Sequence, residues 1–176
     1  MNKNIKSICV TAMGIALYVA LSMTAKIPIV GHISLDLGYI VLAVYCYIYG
    51  PIAGAIVGAA GCTLVSLLAS GWFPLGWLLG NLYIGYFTGR FYIPDLVADD
   101  FSHRKTLEHN LILTVVAVFV GIFCIKSVVE HLMYGIPYAV KLPKNAVAFL
   151  IDAIVMCIGV CIAPKIRTIL EKHKYV

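Results

Sequence analysis

Charge is what this chain has least of. Of its 176 residues only 12% are Asp, Glu, Lys or Arg, while 62% are hydrophobic and the mean hydropathy is +0.98. A soluble domain carries about 25% charged residues and about 45–50% apolar ones. A chain of this length cannot keep so much apolar surface from water. A soluble globular class is therefore excluded, and one compact integral membrane domain is expected.

Catalytic signatures are missing too. The chain has no Gly-x-Ser-x-Gly elbow, no His-Glu-x-x-His, no carboxylate pair beside a nucleophile and no Walker loop. An enzyme is not expected. Energy for active transport must come from an ion gradient or from another protein. No convincing inverted repeat is present, which counts against a self-sufficient secondary transporter. The cysteines (Cys9, Cys46, Cys62, Cys124, Cys157, Cys161) lie inside apolar runs without Cys-x-x-Cys spacing. They read as small membrane hydrophobes, and no metal site is expected. The net charge of +5 collects at loops and ends, so lipid is an expected partner and nucleic acid is not.

What is present is greasy and punctuated. Six apolar segments run over about 5–25, 35–49, 52–69, 75–91, 109–134 and 145–163. The breaks are Lys26 to Gly31, Gly50-Pro51, Ser70-Gly71-Trp72-Phe73-Pro74, the polar stretch 94–108, and Gly135 to Lys144 with its two prolines. Only Lys3 and Lys6 precede the first run and no cleavage signature follows it, so it is expected to be a retained helix. Six crossings place both termini on one side. That side carries nine cations (Lys3, Lys6, Arg90, Arg104, Lys105, Lys165, Arg167, Lys172, Lys174) against three on the other (Lys26, Lys141, Lys144). The positive-inside rule then predicts cytoplasmic termini and outward loops at 26–34, 70–74 and 135–144. The expected fold is an all-α bundle of six transmembrane helices in a single domain.

Small residues recur at spacing four: Ala12, Ala16 and Ala20; Gly50, Gly54 and Gly58; Gly76 and Gly80; Gly85 and Gly89. Such stripes let helix backbones approach closely in lipid. The glycines read as internal packing. The alanine face packs internally or docks a separate membrane subunit.

Polar groups at membrane depth are expensive and usually functional. At about 1.5 Å per residue, Asn81 and Asp152 lie roughly 9 and 10 Å below the outer surface, and Glu130 and Lys126 roughly 6 and 12 Å. Lys126 and Glu130 are i,i+4 and can pair; Lys126 can instead neutralise Asp152. These groups form either a buried ion network tying two helices or the lining of an outward-open cavity. Trp72, Phe73 and Trp77 are expected at its rim, with Tyr134 and Tyr138 opposite and Tyr39 and Tyr45 from the second helix. Interfacial belts use the same aromatics without any ligand. Asp36, His32, Lys144 and Asn145 sit in or beside the outer loops. Aromatic faces with a few fixed polar groups suit a flat heterocycle.

In these features the chain resembles the substrate-binding S components of energy-coupling factor (ECF) transporters, the bacterial vitamin importers. The likeness rests on the small six-helix size, on "AMGIALYVA" in helix one, on "ISLDLGYIVLAVYCYIYGPIAGAIVGAAGC", and on the aromatic-Pro turn "GWFPLGWLLGNLYIGYFTG". It implies a protein of the bacterial plasma membrane that captures a vitamin-like molecule from outside. It implies docking, through Ala12, Ala16 and Ala20, on a membrane coupling subunit with two cytoplasmic ATPases. ATP would be used by those partners, and no cofactor is implied for this chain. The ligand would lie in the outer half, among Asp36, Trp72, Trp77, Asn81, Lys126, Glu130, Tyr134, Lys144, Asn145 and Asp152. A flavin-, pterin- or pyrimidine-like compound fits best. A stand-alone transporter or channel and a structural subunit without ligand are the competing expectations.

Overall fold

Backbone amides in a bilayer have no water to bond, so an apolar chain satisfies them within helices. The structure, a computed structural model, describes residues 3–24, 27–30, 33–93, 100–135 and 137–172. Expectations resting on Lys26, His32, residues 94–99, Ile136 and Lys174 lie outside the described residues.

Helix α1 (Lys3–Thr24) leads into strands β1 (Ile27–Val30) and β2 (Ile33–Leu35), which pair antiparallel with Ile27 opposite Leu35. This small hairpin replaces the expected plain loop. Its signal is Ile27, Ile29 and Val30 before Gly31-His32 and Ile33 after it, β-branched residues on both sides of a turn. Four further helices follow: α2 (Gly38–Ser70), α3 (Leu75–Phe91), α4 (Asp100–Phe119) and, after a π-helical segment at Val120–Lys126, α5 (Ser127–Tyr134). Helix α6 (Tyr138–Lys172) completes the chain.

Helix α2 is not straight. Gly50 has φ 80° and ψ −165°, a conformation open to glycine, and Pro51 follows. The two arms fold back on each other. A Cβ placed on Gly58 would lie 3.0 Å from Leu42 Cδ1, although residues that far apart in a straight helix are about 24 Å from each other. Gly54 in turn faces Cys46. The other glycines make close crossings too. Gly54 and Gly58 of α2 meet the backbone at Gly85 and Asn81 of α3, so these two stretches run antiparallel. Gly76 and Gly80 meet the backbone at Lys126 and Gly121.

Two helices are longer than expected. The rod containing α4 begins at Asp100 rather than near 109, and α6 spans Tyr138–Lys172 rather than 145–163. Polar residues do not stop a helix that projects into water. Arg104 pairs with Glu108 at 3.1 Å and Arg167 with Glu171 at 2.7 Å along these ends. Pro143 sits in the second turn of α6, where it removes one bond near an end. Among the described residues four helices are long and apolar enough to cross a membrane: Ile5–Thr24, Gly38–Ser70, Arg104–Tyr134 and Tyr138–Lys172.

Helix α1 buries a narrow stripe of Gly14, Tyr18 and Ser22 against α2. Ala12, Ala16 and Ala20 lie two positions out of phase and are exposed, as are Met13 and Leu17. The apolar core gathers Tyr18, Leu42, Val57, Ile84, Ile122 and Met156.

Candidate ligand-binding site

Two glycines with positive φ, Gly71 (67°) and Gly135 (63°), end α2 and α5 and free the chain to turn. Just after the first turn, Trp77 comes up on α3. Gly76 beside it has no side chain, and a Cβ there would press Glu130 Cγ at 3.1 Å and the Lys126 carbonyl at 3.2 Å. This close crossing puts the Lys126 ammonium 4.5 Å from the centre of the Trp77 ring, a cation–π contact.

The π segment supplies the other wall. Its wider turn lets the Ser127 hydroxyl donate to the Ile122 carbonyl five residues back, at 2.8 Å. Asn145 of α6 links both neighbours. Its Nδ2 donates to Ser127 Oγ at 2.8 Å, and its Oδ1 accepts from Lys126 Nζ at 2.5 Å. Lys126, only 3% exposed, also lies 3.3 Å from Glu130 Oε1, while Glu130 Oε2 lies 3.0 Å from Lys141 Nζ. The ion partner of Lys126 is therefore Glu130, not Asp152.

These groups border one cavity of about 370 Å³ where α2, α3, α5 and α6 meet. Of the residues named from the sequence, Asp36, Trp77, Lys126, Glu130, Lys144, Asn145 and Asp152 line it. Tyr39, Cys62, Ser66 and Lys141 also line it. Lys141 and Asn145 stand four apart, and Ala148 and Asp152 continue the same helical stripe. Starting α6 at 145 hides that stripe, which is why Lys141 reads as a loop residue. Ser127 carries no signal of its own, since a serine in a membrane helix is ordinary.

Three expected lining residues do not reach the cavity. Asn81 is wholly buried, and its Nδ2 folds back on the Trp77 carbonyl of its own helix at 3.0 Å. Trp72 and Tyr134 instead face each other at 6.0 Å between ring centres, 61% and 42% exposed, outside the lining. Trp72 lies in the turn after α2, and Tyr134 is the last residue of α5. Tyr138 packs against His131 with the rings tilted and their centres 5.0 Å apart. Tyr45 points to α1, donating to the Val10 carbonyl at 3.1 Å. Asp36 borders the cavity but also fastens α1 to α2. It accepts from Ser22, from Tyr18 at 3.4 Å and from the Gly38 amide at 2.8 Å.

The deep end is polar and incompletely bonded. Asp152 is 5% exposed and carries no ion pair among the described residues. The Tyr39 hydroxyl lies among Asp152, Asn81 and Cys62. Among the described residues no hydrogen bond of good geometry reaches Tyr39 Oη or Asn81 Oδ1. A cavity of this size, with an aromatic wall, hydrogen-bonding groups at one end and charges at the other, has room and polar contacts for a small molecule.

Comparison with known proteins agrees with this architecture. The family model "ECF-type riboflavin transporter, S component" matches residues 2–171. A UPF0397 protein of Streptococcus thermophilus is 27% identical over 162 residues, covering 90% of this chain and 87% of its own. A second UPF0397 protein, from Aliivibrio salmonicida, is 37% identical over 122 residues, 69% of this chain and 66% of its own. Among solved structures, the S component for biotin of an ECF-type ABC transporter superposes with a TM-score of 0.68 at 19% identity, covering 96% of this chain and 95% of that one. FolT bound with folic acid superposes at 0.59 with 24% identity, covering 86% and 89%. At those identities the two structures share the fold.

Proposed function

The chain belongs to the family of S components of ECF-type riboflavin transporters, and on that premise we propose that it is the substrate-capture subunit of a vitamin importer. It is a multi-pass plasma-membrane transport protein, not an enzyme. The ligand we assign is a flavin-, pterin- or pyrimidine-like heterocycle taken up from outside. Asp36, Trp77, Lys126, Glu130, Lys144, Asn145 and Asp152 surround it, Asn81 stands behind them, and Trp72 and Tyr134 form an aromatic brace at the rim. The observation that carries this is the cavity itself, in which a Lys126–Trp77 contact flanks a deep end with unsatisfied polar groups.

Six crossings with both ends cytoplasmic is the topology we assign. The folded-back arms of α2 and the antiparallel run of α3 support it. Ala12, Ala16 and Ala20 then form the face that docks on a coupling subunit, and two ATPases supply the energy. Mass spectrometry with an absorbance scan on compound released from the denatured, detergent-purified protein tests the capture role. A stoichiometric heterocycle is expected. An empty protein that also shows no thermal shift with riboflavin, folate, pyridoxine or pantothenate would overturn it.

A further inference from the structure

The cavity is charged unevenly along its length. Lys126, Lys141 and Lys144 face one carboxylate, Glu130, which already sits between the first two. Lys144 has no ion pair among the described residues. That end, toward the start of α6, carries surplus positive charge. The deep end is the reverse. The Tyr39 hydroxyl has one hydrogen, while Asp152 offers two acceptor oxygens and Asn81 Oδ1 a third. Even with the Cys62 thiol beside Asn81 counted as a second donor, at least one acceptor there lacks a partner. Buried acceptors, and a buried carboxylate above all, are costly until a donor meets them. The partly exposed lysines call for an anion, which Arg and Lys bind through charge-assisted bonds.

We infer that the cavity takes a dipolar ligand: a flat heterocycle whose N–H edge lies on Asp152 and Tyr39, and whose carboxylate or phosphate group reaches Lys141 and Lys144. This rests on the capture role proposed above and narrows it to acidic compounds. Trp77 stacks against the ring between the two ends, and Glu130 keeps Lys126 and Lys141 in place, so the lysine cluster selects the anion.

The test uses matched probes that share a ring and differ in charge. Uracil is compared with uracil-6-carboxylate, 6-hydroxymethylpterin with pterin-6-carboxylate, and riboflavin with riboflavin 5′-phosphate. Affinities are measured on the purified full chain by calorimetry. In whichever pair binds, the anionic member is expected to bind at least tenfold more tightly. The first two pairs report a carboxylate and the third a phosphate. In the Lys141→Met/Lys144→Met double variant that preference should vanish, while Asp152→Asn should weaken both members of a pair alike. A neutral probe binding as well as its acidic partner overturns the dipolar assignment and leaves the capture role standing. If no probe binds and no heterocycle is released from the purified protein, both fall. The wild-type ratio decides the matter even where a variant does not fold.

Discussion

Asn145 uses both halves of its side-chain amide, accepting from Lys126 and donating to Ser127. Asn145→Ala should therefore take one acceptor from a buried ammonium and one donor from a buried hydroxyl together, leaving Lys126 only Glu130 and Ser127 only the Ile122 carbonyl. Hydrogen bonds to charged groups contribute about 1.5–3 kcal/mol each, so a loss of that order in unfolding free energy is expected. Asn145→Asp keeps the acceptor for Lys126 and should recover part of it. Thermal unfolding in detergent measures both, and equal midpoints for Ala and wild type would refute the coupling. At this scale the sequence was readable where chemistry was conspicuous. Lys126, Glu130 and Asp152 are ionisable residues in apolar runs, and the cost of placing them there marks them. Depth along a helix says nothing about the direction a side chain takes around it. Asn81 therefore sits on the right helix without lining the cavity, while Trp72 and Tyr134 stand at helix ends.

Two glycines illustrate how elements are held, for opposite reasons. Around Gly50 no described residue lies within 4 Å of an added Cβ. Its backbone, at φ 80° and ψ −165°, is the difficulty for any other residue. Gly50→Ala should cost about 1–3 kcal/mol through strain alone. Asn, which tolerates ordinary left-handed positions, should not rescue it, because this ψ lies outside that region. Gly85 has no such conformation, but a Cβ there would collide with the Gly54 backbone. Gly85→Ala should also destabilise, by about 1–3 kcal/mol through overpacking. A compensating change at a neighbouring side chain cannot relieve it, since backbone is what it strikes. Wild-type melting for Gly50→Ala would show that the reversal does not depend on glycine. The punctuation at Gly50-Pro51 and at Gly71 was legible in the sequence because glycine and proline act locally. Pro143 misled for the same reason, since a proline near a helix start is tolerated and only the surrounding turns reveal it. The hairpin after α1 is too short for periodicity to declare it.

For the molecule as a whole, the narrow attachment of α1 separates two tasks. Its inner stripe of Gly14, Tyr18 and Ser22 holds the bundle, while Ala12, Ala16 and Ala20 face away from it. Ala16→Trp should leave ligand affinity within about twofold of wild type, since the residue touches neither core nor cavity. It should abolish uptake in cells and co-purification with the coupling subunit. Normal uptake by that variant would remove the alanine face from docking. Uptake by vesicles holding only this chain would favour a stand-alone transporter. The π segment has a consequence of another kind, in counting. Each residue advances an α-helix by about 100°. An i→i+5 stretch holds one residue more than an α-helical stretch of the same number of turns. Within 120–126, then, a one-residue gap between this chain and a cousin is not harmless length drift. Removing a residue there would restore an ordinary helix with the same number of turns, so the residues beyond it would keep their faces. What would be lost is the five-residue reach of the Ser127 hydroxyl to the Ile122 carbonyl, so a gap at that point in an alignment marks a chain whose pocket wall is wired differently.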